Sequence, residues 1–279
     1  FKCIDCGKCT GVCPNSPEHL LNCASRAMAE KESFGLPREG HYFIGYDKDL
    51  SGRLKSSSGG LLTALLKYLL DSGKVDGVIA VKAIEAPIGK EHANVQIFTS
   101  SKELEEARSS YYYPACYDEV IESLKNRSGK YVLVGVPCVI HGIKLFPEHV
   151  KNKILYTFSL ACSHNVTGQF LDSLAAQEGV PEGKGFVADL RDKKEGIPDA
   201  NNYNSYFSMG DKEIRRNRFR TAYTDMWRNY FFAHRSCLYC ADFYGADADL
   251  SVKDAWGRLS FDPQGISLAV VRNGQLAKV

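Results

Sequence analysis

The stretch KYVLVGVPCVIHGI at residues 130–143 constrains the fold more than any other part of the chain. Residues 131–136 form a short apolar run rich in β-branched side chains, which predicts a buried strand. Pro137 ends the strand pairing and Cys138 follows at once. A thiol is thereby set at the carboxyl end of a core strand, the edge at which open α/β sheets hold their ligands. A second apolar run, ILYTFSL at 154–160, is followed in the same way by Cys162, and a Cys-x-x-Cys pair arrives later as Cys237 and Cys240. Two strand-end thiols and one such pair make four soft ligands, the number that an iron–sulfur cubane or a tetrahedral zinc takes.

The composition narrows the class further. With 279 residues the chain can bury one large core and carry a small appendage. No run of about 18 apolar residues is present, so no membrane span is expected. A formal charge of +2 gives no reason to expect nucleic acid or an acidic membrane as partner. Ten cysteines clustered as C-x-x-C point to metal in a reducing, cytoplasmic setting rather than to disulfides, since a chain of this size needs no staples. Phe1 stands two positions before a cysteine motif, and the closing LAVVRNGQLAKV has no clear stop, so both ends read as cut.

Cys3, Cys6, Cys9 and Cys13 followed by Pro14 spell C-x2-C-x2-C-x3-C-P. This tight spacing lets thiolates and backbone amides wrap one face of a [4Fe–4S] cluster, while the fourth cysteine can serve another cluster. Cys23 is the alternative fourth ligand, against a plain reading as a small buried residue. Residues 1–30 therefore read as a ferredoxin-like segment. The polar, turn-rich stretch 31–54 reads as a linker, and residues 55–279 as the main domain.

Within SSSGGLLTALLKYLL at 56–70, leucines 61, 62, 65, 66 and 69 recur at helical spacing. A helix beginning just after Gly59 and Gly60, with Ser57 or Ser58 near its N-cap, would present free amides suited to a phosphate. A strand at 74–81 follows, and this alternation supports an α/β fold. Tyr111, Tyr112 and Tyr113 precede Pro114; half-buried core tyrosines are the ordinary reading, and flanking of a planar ring the sharper one. FVADLRDKKEG at 186–196 reads as a strand running into a charge group, either a solvated turn or, at the mouth of a site, a binder of anions. IRRNRFR at 214–220 is the most basic patch and reads first as a wet strand face. Asp254 and Trp256 follow a short strand.

The order SSGG-x-x-TALL-x-YLL, VDGVI, G-x-PC, C-SHN, C-x-x-C and AD-x-SV-x-DAWG resembles the family of beta subunits of coenzyme F420 hydrogenases and dehydrogenases through nearly the whole chain. The resemblance implies an α+β mixed-sheet flavin domain, usually binding FAD, beside a [4Fe–4S] cluster, with an amino-terminal ferredoxin unit carrying a second. It implies that Cys138, Cys162, Cys237 and Cys240 hold the inner cluster. Ser57, Ser58, Gly59, Gly60 and Thr63 would meet the flavin nucleotide, with Asp254 beside the ring and Arg191 and Lys193 near the substrate. Lys253 departs from the family pattern, which commonly has glycine there, so the identity of the hydride donor stays open. The implied activity is electron transfer between a deazaflavin such as coenzyme F420, FAD, the clusters and a redox partner: a ferredoxin or a hydrogenase or dehydrogenase subunit. Two other readings stand beside it, a ferredoxin-dependent reductase of an organic substrate and a zinc-binding module with no enzymatic role.

Overall fold

The computed structural model describes residues 7–30, 40–193, 200–255 and 262–279. In chain order these form α1 (Lys8–Val12), α2 (Pro17–Glu30), β1 (His41–Gly45), α3 (Leu50–Lys55), α4 (Leu61–Asp71), β2 (Gly77–Ala83), β3 (Ala93–Phe98), α5 (Ser101–Leu104), α6 (Asp118–Leu124), β4 (Tyr131–Gly135), α7 (Pro137–Lys144), α8 (Glu148–Lys151), β5 (Ile154–Leu160) and α9 (Gly168–Gln177). They continue with β6 (Val187–Asp192), β7 (Asn204–Met209), β8 (Lys212–Asn217), α10 (Tyr223–Arg228), β9 (Leu250–Asp254) and β10 (Ser267–Val271).

Strand β4 lies inside a seven-stranded mixed sheet of order β1-β10-β9-β5-β4-β2-β3. Strands β2, β4, β5 and β9 are parallel, and the flanking pairs are antiparallel. Both faces of β4 are covered, which is why its residues are apolar without alternation. Val132 and Val134 pack with Leu66 and Leu69 of α4 on one face, while Tyr131 and Leu133 meet Ile121 of α6 and Ile140 and Ile143 of α7 on the other. Fully buried side chains such as Leu133, Phe158 and Leu69 each contribute roughly 1.5–3 kcal/mol of burial. Pro137 opens α7 at its first turn, where its missing N–H costs nothing, so the strand turns directly into a helix.

A second sheet, antiparallel with order β6-β7-β8, is inserted between β5 and β9. It packs through Phe207, Met209 and Ile214 on Phe170 and Leu174 of α9 and on Tyr223 and Met226 of α10. The sequence predicts strands within 186–196 and 214–220, which β6 and β8 overlap, but neither β7 nor the joining of the three into a separate sheet. Nor is 31–54 a plain linker over its described part. β1 pairs with β10 as the edge of the main sheet, and α3 is capped by Asp49, whose carboxylate accepts from the amides of Ser51 and Gly52. The residues of β1 are largely exposed, which removes the burial signal that marks a strand in sequence.

Near the amino terminus, the turn after α1 and the helix α2 approach α7. The Pro14 ring stands 3.4 Å from the position a Cβ on Gly142 would take, and the rings of His19 and His141 lie 5.6 Å apart. Among the described residues no helix is long and apolar enough to cross a membrane.

Candidate functional site at the carboxyl edge of the main sheet

The carboxyl ends of β2, β4, β5 and β9 open into a cleft of ≈ 620 Å³. Val81, Val134 to Val136, Leu160 to Cys162 and Val252 to Asp254 form its floor, and Tyr203, Tyr223 and Trp227 of the inserted region close it on the other side. Parallel strands end together at one edge, and the helices leaving them splay apart, so the gap follows from the topology. Among the lining residues the cations are Arg191, Arg218, Arg228 and Lys253, and the acid is Asp254.

The serine-glycine stretch enters this cleft, but not as a serine-capped helix. Gly60 is the N-cap of α4 with φ 75, a left-handed conformation that favours glycine, and no side chain caps the helix. Ser57 donates to Ser110 Oγ at 2.9 Å, and Ser58 donates to the Ile266 carbonyl at 2.9 Å. Gly59 does not line the cleft; a Cβ there would stand 2.7 Å from the Ser267 amide nitrogen and 2.9 Å from the Gly45 carbonyl oxygen. Its role in the fold is the close approach of the loop to β1 and β10. Ser57, Ser58, Gly60 and Thr63 all line the cleft, and the Thr63 hydroxyl has no protein partner among the described residues.

Arg191 and Lys193 are buried rather than solvated. One Arg191 Nη donates to the Ser57 carbonyl and to Asp254 Oδ2, both at 2.8 Å, and the guanidinium lies 4.4 Å from the centroid of the Tyr203 ring. Burial disfavours its charge, but Asp254 and the Tyr112 and Tyr203 phenols more than offset that, so it is held charged well above its usual range. Lys193 donates to the carbonyls of Arg53 at 3.0 Å, Ser58 at 2.8 Å and Gln264 at 2.8 Å. Burial, and then Arg191 nearby, push its pKa down to about 8. The two residues thus brace the serine-glycine loop, and of the pair only Arg191 reaches the cleft wall. Sequence shows two exposed-looking cations here because their acceptors are backbone carbonyls far along the chain.

The thiols of Cys138, Cys162, Cys237 and Cys240 come into one neighbourhood. Burial first, and then Cys237 and Cys240, push the Cys138 thiol up to about 12. Burial and then Cys138, Cys237 and Cys240 likewise raise Cys162. Cys162 also lines the cleft. The Asn165 amide donates to Cys237 Sγ at 3.3 Å, and the Cys162 amide donates to the Phe243 carbonyl at 2.9 Å. Among the described residues no three Cys, His, Asp or Glu side chains are placed to share a single metal ion. Cys9 is exposed and Cys13 half-buried at the start of the amino-terminal helices. Cys3, Cys6 and Trp256 lie outside the described residues, as does the side chain of Cys23.

Further site residues emerge only from the structure. Tyr111, Tyr112 and Tyr113 line the cleft together, and Tyr112 lies 4.5 Å from Trp227 and 3.3 Å from Arg191 Nη1. Arg108 is buried beneath the serine loop and donates to Ser56 Oγ at 2.7 Å and to the Gly52 carbonyl at 2.8 Å. Lys253 is half-buried at the end of β9, 5.7 Å from the centroid of the Phe243 ring. The tyrosine triplet carried a signal in sequence, but its ordinary reading is core packing; Arg108 carried none.

Residues 42–122 match the family model described as the N-terminal part of the coenzyme F420 hydrogenase/dehydrogenase beta subunit, and residues 128–279 match the model of its C-terminal part. The chain is 24% identical over 307 aligned positions to the coenzyme F420-dependent sulfite reductase of Methanocaldococcus jannaschii, covering 97% of this chain and 44% of that protein. It is 27% identical over 163 positions to a subunit of the F(420)H(2) dehydrogenase of Methanosarcina mazei, covering 57% of this chain and 41% of that protein. The chain therefore spans less than half the length of these curated relatives. Its fold is similar, at TM-score 0.64 and 18% identity, to a chain of the F420-reducing [NiFe] hydrogenase complex from Methanosarcina barkeri solved as a xenon derivative, over 86% of this chain and 77% of that one.

Proposed function

The chain belongs to the family of coenzyme F420 hydrogenase/dehydrogenase beta subunits, and from that membership we propose that it is an iron–sulfur flavoprotein oxidoreductase. It passes electrons between a hydride donor or acceptor such as coenzyme F420, bound FAD, two [4Fe–4S] clusters and a partner protein. The observation that carries this reading is Cys162, which belongs both to the thiol group and to the wall of the cleft.

The residues present fit both groups. Four thiols from the start of α7, the turn after β5 and the 237–240 loop match the ligand number of a cubane, which bonds each thiolate to a different iron and does not require them to meet at one ion. The cleft has the size of a cofactor site, an aromatic wall, and the uncapped start of α4 at one end. When bound, FAD supplies hydride chemistry and a cubane supplies single-electron transfer, so the two together convert one into the other.

This chain's own residues do the placing. Ser57, Gly60 and Thr63 with the first amides of α4 receive the phosphate-bearing part of the nucleotide, and Gly59 and Ser58 hold that loop against β10. Arg191 and Asp254 fix each other at the cleft wall, and Lys193 ties the loop from behind, so its part in substrate binding is indirect. Cys138, Cys162, Cys237 and Cys240 hold the inner cluster, and the Asn165 amide tunes it through Cys237. Cys3, Cys6, Cys9 and Cys13 would hold the outer one, and Pro14, directly after the last of them, stands against Gly142 of α7.

The test is anaerobic purification with a visible spectrum, iron and acid-labile sulfide counts, and extraction of the flavin. About eight irons per chain with FAD is the expected result. A colourless protein holding zinc and no iron would overturn it. Bleaching of the flavin by reduced coenzyme F420 without ferredoxin would identify the donor; failure to bleach would move the proposal to the ferredoxin-dependent reductase.

A further inference from the structure

The surface over the Cys237–Cys240 loop carries four large side chains that face solvent: Tyr230 (47% exposed), Phe231 (56%), Leu238 (59%) and Tyr239 (76%). Single exposed apolar residues are common, but a group of this kind marks a contact surface. Its backbone is also unusual. Tyr230 has φ 59 and Phe232 φ 64, a left-handed region that residues with side chains rarely adopt. The conformation is held from below: the Thr167 amide donates to the Phe232 carbonyl at 2.8 Å, and the His234 amide to the Asn165 carbonyl at 3.1 Å. The chain that follows Cys162 thus fixes the outward pose of these aromatics. Strain kept by surrounding bonds is typical of functional positions.

The segment that carries the patch is strongly basic. Arg220, Arg228 and Arg235 are exposed, and between residues 214 and 240 the one acid is Asp225. The patch is continuous with the cleft: the Tyr230 ring lies 4.4 Å from that of His164, which lies 4.0 Å from Trp227, and both His164 and Trp227 line the cleft. A second copy of this chain would bring arginines against arginines if it paired through the same face, so self-association does not suit it.

We propose that this patch is the docking face for a separate small acidic iron–sulfur protein that exchanges electrons with the cluster held by Cys237 and Cys240. The carrier's carboxylates meet Arg220, Arg228 and Arg235, and its apolar centre covers Leu238 and Tyr239. The proposal rests on the inner cluster of the preceding reading. In each encounter one electron leaves the reduced inner cluster and enters the oxidised cluster of the carrier; no bond is made or broken and no proton moves.

The test is equilibrium binding, without turnover, of the whole anaerobically purified chain to an oxidised acidic two-cluster ferredoxin, with cationic cytochrome c as control. Binding at low ionic strength that weakens as salt is added is the expected result. The Arg220→Glu, Arg235→Glu double variant, at positions outside the cleft lining, is expected to bind at least about tenfold more weakly, and Tyr239→Ser to weaken binding at every salt concentration. Iron content and visible spectrum, unchanged in both variants, report that the fold and clusters persist. Unchanged affinity in the charge-reversed protein, no ferredoxin binding, equal binding of cytochrome c, or self-association lost in Tyr239→Ser would each overturn the proposal. A protein purified without iron would instead overturn the cluster reading beneath it.

Discussion

Arg191 keeps its charge where only 6% of the residue meets solvent, because Asp254, a carbonyl and a tyrosine ring replace the water it has lost. Arg191→Met leaves Asp254 facing the cleft without its cation and is expected to cost roughly 3–5 kcal/mol, read as a lower denaturant midpoint. The double change with Asp254→Leu should recover part of that loss. His92 shows the opposite case: burial lowers its pKa, against the pull of Asp172 at 3.7 Å, and it packs 4.3 Å from the Phe186 ring and 5.5 Å from that of Tyr113. The fold therefore holds His92 neutral in a window below its ordinary 6.5 where the unfolded chain takes up a proton. Stability should fall as pH drops through that window and be untouched above it. His92→Gln is expected to flatten this part of the profile in melting curves taken between about pH 5 and 7.5. Cys138→Ala is expected to remove the inner cluster and leave the amino-terminal one, halving the iron count. Full retention would take Cys138 off the ligand list.

Elements differ in how openly their sequences announce them. The leucines of α4 recur at helical spacing and pack on the sheet, and β4 is apolar because both its faces are covered. Strand β1 is exposed on the sheet edge and β7 alternates against a sheet that no local pattern reveals, so neither stands out. The loop into α4 is shaped by a contact distant in sequence. Gly59→Ala would drive a methyl group to within 2.7 Å of the Ser267 amide nitrogen and 2.9 Å of the Gly45 carbonyl oxygen. Relief requires the loop to lift from β1 and β10, at about 1–3 kcal/mol. Amide hydrogen exchange should rise in β1 and β10 while β4 stays protected; equal protection throughout would contradict this account.

At the scale of the molecule, the cleft is walled by both sheets, since strand ends of the first face Tyr203 and α10 packed on the second. A ligand filling it ties the two regions together and favours the folded state by mass action. FAD at about a hundred times its dissociation constant should add about 2.7 kcal/mol, a rise in melting temperature of roughly 5–10 °C. NAD in its place should leave the melting temperature where it was. Pro14 and His19 of the amino-terminal region lie against α7, the helix whose first turn carries Cys138.

The sequence by itself determined the class of fold, the main parallel strands and the leucine-rich helix α4, and the presence of thiols at strand ends. These are local consequences of periodicity and of where apolar runs stop. Only the tertiary structure decided that Arg191 and Lys193 brace a loop, that Gly59 packs on β10 while Thr63 faces the cleft, and that Tyr111 to Tyr113 line it. The physical reason is that a charge or a ring has no fixed role until its partners are known. Here the partners of Arg191 and Lys193 include backbone carbonyls and a carboxylate more than 60 positions away along the chain.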